Sequence, residues 1–226
     1  MASRKGEKRS YQDGCAAAHA LDLIGERWAL LVVRELLLGP RRFTDLKTSL
    51  PGISATVLAQ RLSDLEGTGV LTCQPLPAPA AGWMYALTPW GHELEPVLQQ
   101  LGRWGAQSPH KAPAPISLAT LITAQKTMFS AQAATGIAGA VALQVGRERF
   151  TARIESGTLD ITPGGGAADA TLSGDVATLG RVLLGDQSIG EAEAAGLLSV
   201  LGDRALAQRY ATLFPLPTPV ASPERR

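Results

Sequence analysis

Along the first half of the chain, apolar residues recur at helical spacing. Leu21, Leu23, Ile24 and Trp28, then Leu30, Leu31, Val33, Leu36, Leu37 and Leu38, predict two adjoining helices. Both are apolar on more than one face, as in helices buried in a bundle or at a dimer contact. Gly39-Pro40 stops them. Phe43, Leu46 and Leu50 sit at i, i+3, i+7 and predict a short helix, which Pro51-Gly52 ends in a tight turn. Ser54 is a natural N-cap for the next helix, whose inner stripe is Leu58, Leu62 and Leu65. After Gly67 and Gly69, residues 70–74 and 83–87 read as two strands of a hairpin across a proline-rich segment. Thr88 and Pro89 open a last helix with Trp90, Leu94, Val97, Leu98, Leu101 and Trp104 on one face. Pro96 falls inside that helix and predicts a kink.

The second half follows a different pattern. A helix at about 116–134 gives way to short apolar runs at 140–145, 150–155, 159–161 and 170–172, each bounded by Gly, Pro or Asp. Gly146-Arg147 and Ser156-Gly157 suit hairpin turns. Two short helices at 176–184 and 189–195, a strand at 197–201 and a helix at 203–213 complete it. Strands grouped before helices indicate an α+β domain with an antiparallel sheet. Proline-rich stretches supply the punctuation. The expected division is a basic arm at 1–14, a mainly helical domain at 15–108, a linker at 109–115, an α+β domain at 116–214 and a flexible tail at 215–226.

Composition and charge narrow the function. The 226 residues are 45% hydrophobic and 5% aromatic, enough for two small aliphatic cores. No apolar run is long enough for a membrane span, and the charged start MASRKGEKRS lacks the apolar stretch of a signal peptide. Cys15 and Cys73 are too few for a disulfide framework, so a cytoplasmic chain with reduced thiols is expected. The formal net charge of +1 hides two basic islands. One holds Arg4, Lys5, Lys8 and Arg9 against Glu7; the other holds Arg41, Arg42, Lys47 and Arg61 against Asp45. Such islands suit a limited phosphate footprint, although the first is equally a solvated tail.

The helix stripe of Leu58, Leu62 and Leu65 turns Thr56, Gln60 and Ser63 outward. Small polar residues and an amide suit a helix that enters a major groove, and Arg41, Arg42 and Lys47 precede it where backbone phosphates would lie. The same periodicity also describes a structural three-helix packing.

Three stretches carry a resemblance that favours DNA. They are CAAAHALDLIGERWALLVVRELLLGPRRFTDLK, LPGISATVLAQRLSDLEGTGVL and YALTPWGHELEPVLQQLGRWG, in that order between Cys15 and Gly105. This segment resembles the HxlR-type winged-helix transcription regulators, relatives of the MarR regulators. The resemblance implies a winged helix-turn-helix domain, a homodimer built from its first and last helices, and recognition of a palindromic site in double-stranded DNA. It implies DNA contacts at Arg41, Arg42, Thr44, Lys47, Ser54, Thr56, Gln60 and Arg61, with residues 71–87 as the wing. Wings in this family usually offer Arg or Lys, whereas residues 74–84 (QPLPAPAAGWM) carry no charge.

The stretch ADATLSGDVATLGRVLLGDQSIGEAEAAGLLSVLGDRALAQRYATLF resembles the end of a sterol-carrier-type domain. That implies an apolar tunnel for a lipid-like small molecule. Met128, Phe129, Phe150, Leu183, Leu184 and Phe214 are candidates to line it, and each also suits an ordinary core. Cys15 opens the first helix, where a thiol pKa is lowered; it reads either as a redox thiol or as a small residue at a dimer contact. The three histidines and two cysteines lack zinc spacing, and no GxSxG elbow or carboxylate pair is present, so no metal, cofactor or enzymatic role is expected. The expectation is therefore a dimeric DNA-binding transcriptional regulator that an apolar small molecule modulates. The alternatives are a lipid carrier with a winged helix that does not bind DNA, and a regulator switched through Cys15.

Overall fold

The computed structural model describes residues 10–76, 81–112 and 114–221. Arg4, Lys5, Lys8 and Arg9 of the basic arm and residues 77–80 of the wing lie outside them. The chain divides into two compact units, Met1–Leu94 and Glu95–Arg226.

The first unit contains α1 (Ala16–Ile24), α2 (Ala29–Leu36), α3 (Phe43–Ser49), α4 (Ala55–Gly67), β1 (Leu71–Pro75), β2 (Trp83–Leu87) and α5 (Pro89–His92). Its core joins Val32, Val33 and Leu36 of α2 to Leu46 of α3, Leu71 of β1 and the leucine stripe of α4. Caps set the helix starts. Ser54 Oγ accepts the Val57 N–H at 3.2 Å, and Thr88 Oγ1 accepts the Gly91 N–H at 3.0 Å. Strands β1 and β2 pair antiparallel from Leu71↔Leu87 to Pro75↔Trp83. Arg41 extends this ribbon: its N–H donates to the Tyr85 carbonyl at 2.9 Å and its carbonyl accepts the Tyr85 N–H at 2.8 Å. A Cβ at position 91 would lie 2.0 Å from the Val70 carbonyl oxygen, so only glycine lets α5 abut the start of β1.

The single kinked helix expected from residue 89 onward is instead two helices, α5 and α6 (Leu94–Ala106), divided at Glu93. Pro96 falls in the first turn of α6, where a backbone N–H has no helical partner to lose. The proline therefore suits a helix start and does not kink a continuing helix.

The second unit holds most of α6, then α7 (Leu118–Met128), β3 (Gly139–Val145), β4 (Glu148–Glu155), β5 (Thr158–Pro163), β6 (Ala170–Gly174), α8 (Val176–Leu184), α9 (Ile189–Ala194), β7 (Leu198–Gly202) and α10 (Arg204–Ala211). The helix foreseen to about residue 134 stops at Met128 and is followed by turns. Five strands form one sheet in the order β5-β4-β3-β6-β7. The pairings β3–β4, β4–β5 and β6–β7 are antiparallel as expected, whereas β3–β6 is parallel, so the sheet is mixed. The parallel pair arises because the chain leaves β5 at one edge and returns past β4 to the far side of β3. Gly164 and Gly166 lie on that return, and Thr151 ties them to β4: its hydroxyl donates to the Gly164 carbonyl at 3.2 Å and accepts the Gly166 N–H at 3.3 Å.

Register places Val141, Leu143, Phe150, Ala152, Ile154, Ile161 and Leu172 on one buried face, against which the helices pack. The β4–β5 turn has φ of 50° at Ser156 and 75° at Gly157, the double left-handed conformation of a tight hairpin. Gln125 of α7 and Tyr210 of α10 are fully buried, and the Tyr210 hydroxyl donates to Gln125 Oε1 at 2.5 Å. Burial pushes the Tyr210 hydroxyl pKa far up, so it stays protonated and donating. Among the described residues, no helix is long and apolar enough to cross a membrane.

Candidate nucleic-acid interface

Helix α4 buries Leu58, Leu62 and Leu65 and leaves Thr56, Gln60 and Ser63 exposed, the two faces its spacing predicts. Gln60 Nε2 donates to Asp64 Oδ1 at 2.9 Å, which steadies an amide that would otherwise sweep freely. Arg61 is placed differently. Its side chain is 15% exposed, with Nη1 3.1 Å from Asp64 and 3.4 Å from Glu26, so its charge is answered within the domain.

Of the remaining expected contacts, Arg42, Thr44, Ser54 and Thr56 are exposed, while Arg41 and Lys47 are half-buried. Arg42 is the N-cap residue of α3, and its backbone N–H donates to Asp45 Oδ2 at 3.2 Å. Arg41 is fixed by its bridge to β2. The hairpin is also tied to α4, because Glu66 Oε1 accepts the Cys73 N–H at 3.2 Å. Beside it, burial and the neighbouring Cys73 and Glu66 raise the Tyr85 hydroxyl pKa. At the outer end of the hairpin Pro75 and Trp83 face each other, and Trp83 is 62% exposed. The sequence pattern gave no role to Trp83; a large aromatic residue within an uncharged wing was the available signal.

Cys15 is exposed at the N-cap of α1. The backbone N–H groups of Ala18 and then Ala17 favour its thiolate and hold its pKa below the usual thiol value. Cys73 is half-buried in β1. Among the described residues, no cluster of His, Cys, Asp and Glu could hold a metal ion.

In the second unit, a cavity of ≈ 540 Å³ is lined by Leu183, Leu184 and Phe214 together with Val182, Leu216 and the polar Gln187 and Ser188. Three of the six expected lining residues are therefore present. Met128, Phe129 and Phe150 are not among the lining residues. Phe150 sits opposite Leu143 within the sheet's buried face, Met128 is buried at the end of α7, and the Phe129 ring lies 6.5 Å from that of Phe214. Element position alone could not separate these core residues from cavity walls. The sequence reading also omitted Leu216, which lies in the proline-rich segment expected to fray.

Helix α6 carries Val97, Leu101 and Trp104 at i, i+4, i+7, all exposed, with Trp104 at 74%. Its polar groups meet α7: Lys126 Nζ is 2.7 Å from Glu95 Oε1, and the Arg103 guanidinium donates to the Thr127 carbonyl. Leu21 of α1 is exposed as well.

Residues 23–112 match the family model described as HxlR-like helix-turn-helix, and residues 140–222 match a sterol carrier protein domain. Over 88 residues the chain is 35% identical to YvaP, named an uncharacterized HTH-type transcriptional regulator, of Bacillus subtilis (strain 168); this covers 39% of this chain and 82% of YvaP. It is 36% identical over 88 residues to the HTH-type transcriptional regulator YodB of the same organism, covering 39% and 79%. The solved reduced form of YodB from B. subtilis aligns at 33% identity and a TM-score of 0.39, over 44% of this chain and 98% of that one.

Proposed function

Because the chain belongs to the HxlR-like helix-turn-helix family of transcriptional regulators, we propose that it works as a cytoplasmic homodimer that places two α4 helices on a palindromic duplex site. The observation that carries this reading is the division of α4, with three leucines anchored inside and Thr56, Gln60 and Ser63 facing out. Thr56 and Gln60 read base edges, with the Gln60 amide suited to adenine. Arg41, Arg42, Thr44, Lys47 and Ser54 hold the backbone and set the register. Arg61, already paired with Glu26 and Asp64, orients α4 and contributes little to phosphate attraction. The exposed Val97, Leu101 and Trp104 of α6 form the self-association surface. Residues 15–108 are the DNA-binding and dimerisation domain, 116–214 the ligand domain, and the role of the whole is binding without catalysis.

The cavity lined by Leu183, Leu184 and Phe214 accepts an apolar or lipid-like small molecule; of its polar lining, the Gln187 side-chain oxygen is held by Arg181 and the Ser188 hydroxyl by Glu191. Such a ligand regulates only if it prefers one DNA-binding state, typically by about 1–3 kcal/mol. A gel shift against the chain's own upstream region, at two salt concentrations and with fatty acid added, tests both parts. A specific complex that weakens with salt and responds to fatty acid is expected. Absence of any salt-sensitive specific complex overturns the DNA reading, and a complex indifferent to apolar ligands overturns the regulatory one.

A second reading rests on Cys15, an exposed thiol that backbone N–H groups favour as thiolate. In that case oxidant releases the DNA and Cys15→Ser abolishes the release; a Cys15→Ser protein that still responds removes the thiol switch.

A further inference from the structure

The wing presents a contradiction that the proposed DNA contacts do not absorb. Residues 74–84 carry no charge, although a hairpin beside a recognition helix would ordinarily meet phosphates with Lys or Arg. Its outer end is apolar instead: Trp83 is 62% exposed, its cross-strand partner Pro75 is exposed, and Leu76 closes the ribbon through its N–H to the Gly82 carbonyl at 2.9 Å. The ribbon is held from two sides at the Cys73–Tyr85 rung, two residues inward of this end. The Glu66–Cys73 hydrogen bond ties β1 to α4, and the Arg41–Tyr85 bridge ties β2 to the basic segment. Trp83 shares a strand face with Tyr85, so its Cα lies about 7 Å along the strand from the rung that fixes Arg41. A duplex held by Arg41 and Arg42 therefore runs within reach of the indole. The sugar edges of a groove are apolar, and a ring can pack there without the help of charge.

We propose that Trp83 is a DNA-contacting residue, its indole packing on the deoxyribose and base-step edge of the groove beside the one that α4 enters. This rests on the DNA-binding reading above and adds an element of its own. The wing grips by apolar contact, so it strengthens binding without adding to the salt dependence.

A duplex selected from a random-sequence pool by the full-length wild-type chain provides the probe. Its affinity is measured over a series of salt concentrations for wild type, Trp83→Ala, Trp83→Phe and Trp83→Arg, with thermal unfolding to show that each variant is folded. Trp83→Ala should lose about ten-fold in affinity with the log–log salt slope unchanged, and Trp83→Phe should keep most of the affinity. Trp83→Arg should recover binding at low salt with a slope steeper by about one. A Trp83→Ala protein that binds as tightly as wild type overturns the contact while leaving the DNA-binding reading intact. If the wild type selects no duplex at all, both fall.

Discussion

Arg42 and Arg61 carry the same charge on neighbouring helices and are placed in opposite ways. Arg42 is exposed at the start of α3, whereas Arg61 is folded onto Glu26 and Asp64. Arg42→Ala should weaken DNA binding across sequences and flatten the log–log salt slope by about one, as the loss of one phosphate contact does. Arg61→Ala should leave that slope unchanged and lower the urea midpoint, because two carboxylates lose their cation. Gel shifts at a series of salt concentrations and urea titrations separate the two outcomes. Asp175 gives a pH-dependent counterpart in the second unit. Its Oδ1 accepts the Thr178 N–H at 2.6 Å, and that bond, followed by the Thr178 hydroxyl, holds its carboxyl below the ordinary value. A depressed folded-state pKa means the cap contributes fully above the unfolded carboxylate value and fades as pH falls through the folded one. Asp175→Ala should therefore cost about 1 kcal/mol at neutral pH and progressively less in acid below about pH 4, measured by urea unfolding across pH.

Among the elements, α4 was the most legible in the sequence. Ser54 marks its start, three leucines its inner face and two glycines its end, and each of these signals is local. The break between α5 and α6 was not legible, because the stripe from Trp90 to Trp104 continues across it and the stop at Glu93 depends on a short capped turn. Gly91 holds that turn against β1, with no room for a side chain beside the Val70 carbonyl. Gly91→Ala should lower stability by at least about 2 kcal/mol, read from denaturant unfolding, since backbone and not a flexible side chain must move. The parallel β3–β6 pairing was hidden for another reason. Sequential strands usually pair with one another, and nothing in the run Gly164–Gly166 distinguishes a passage across a sheet from a reversal. In the candidate site, the leucine spacing made the exposure of Thr56 and Gln60 legible, but not the turn of Arg61 onto Asp64 and Glu26, the second of which is far away in sequence.

On the scale of the whole molecule, the apolar stripe of α6 is the surface most in need of a partner. Val97, Leu101 and Trp104 are exposed together on one helix, an arrangement a lone protomer would leave in water. Leu101→Asp with Trp104→Asp should halve the mass seen in sedimentation velocity and weaken binding to a two-half-site duplex far more than to a single half-site. An unchanged mass would exclude this stripe as the self-association surface.

The buried hydrogen bond between Gln125 and Tyr210 joins the helix that precedes the five strands to the helix that follows them, a span of 85 residues. Docking of α10 takes both groups out of water, and in that dry interior the Tyr210 hydroxyl and the Gln125 amide oxygen answer each other. The bond thus works as an inspection mark on the finished second unit: a final helix docked out of register would bury the hydroxyl and the amide oxygen unanswered, so the aligned arrangement is the favoured one.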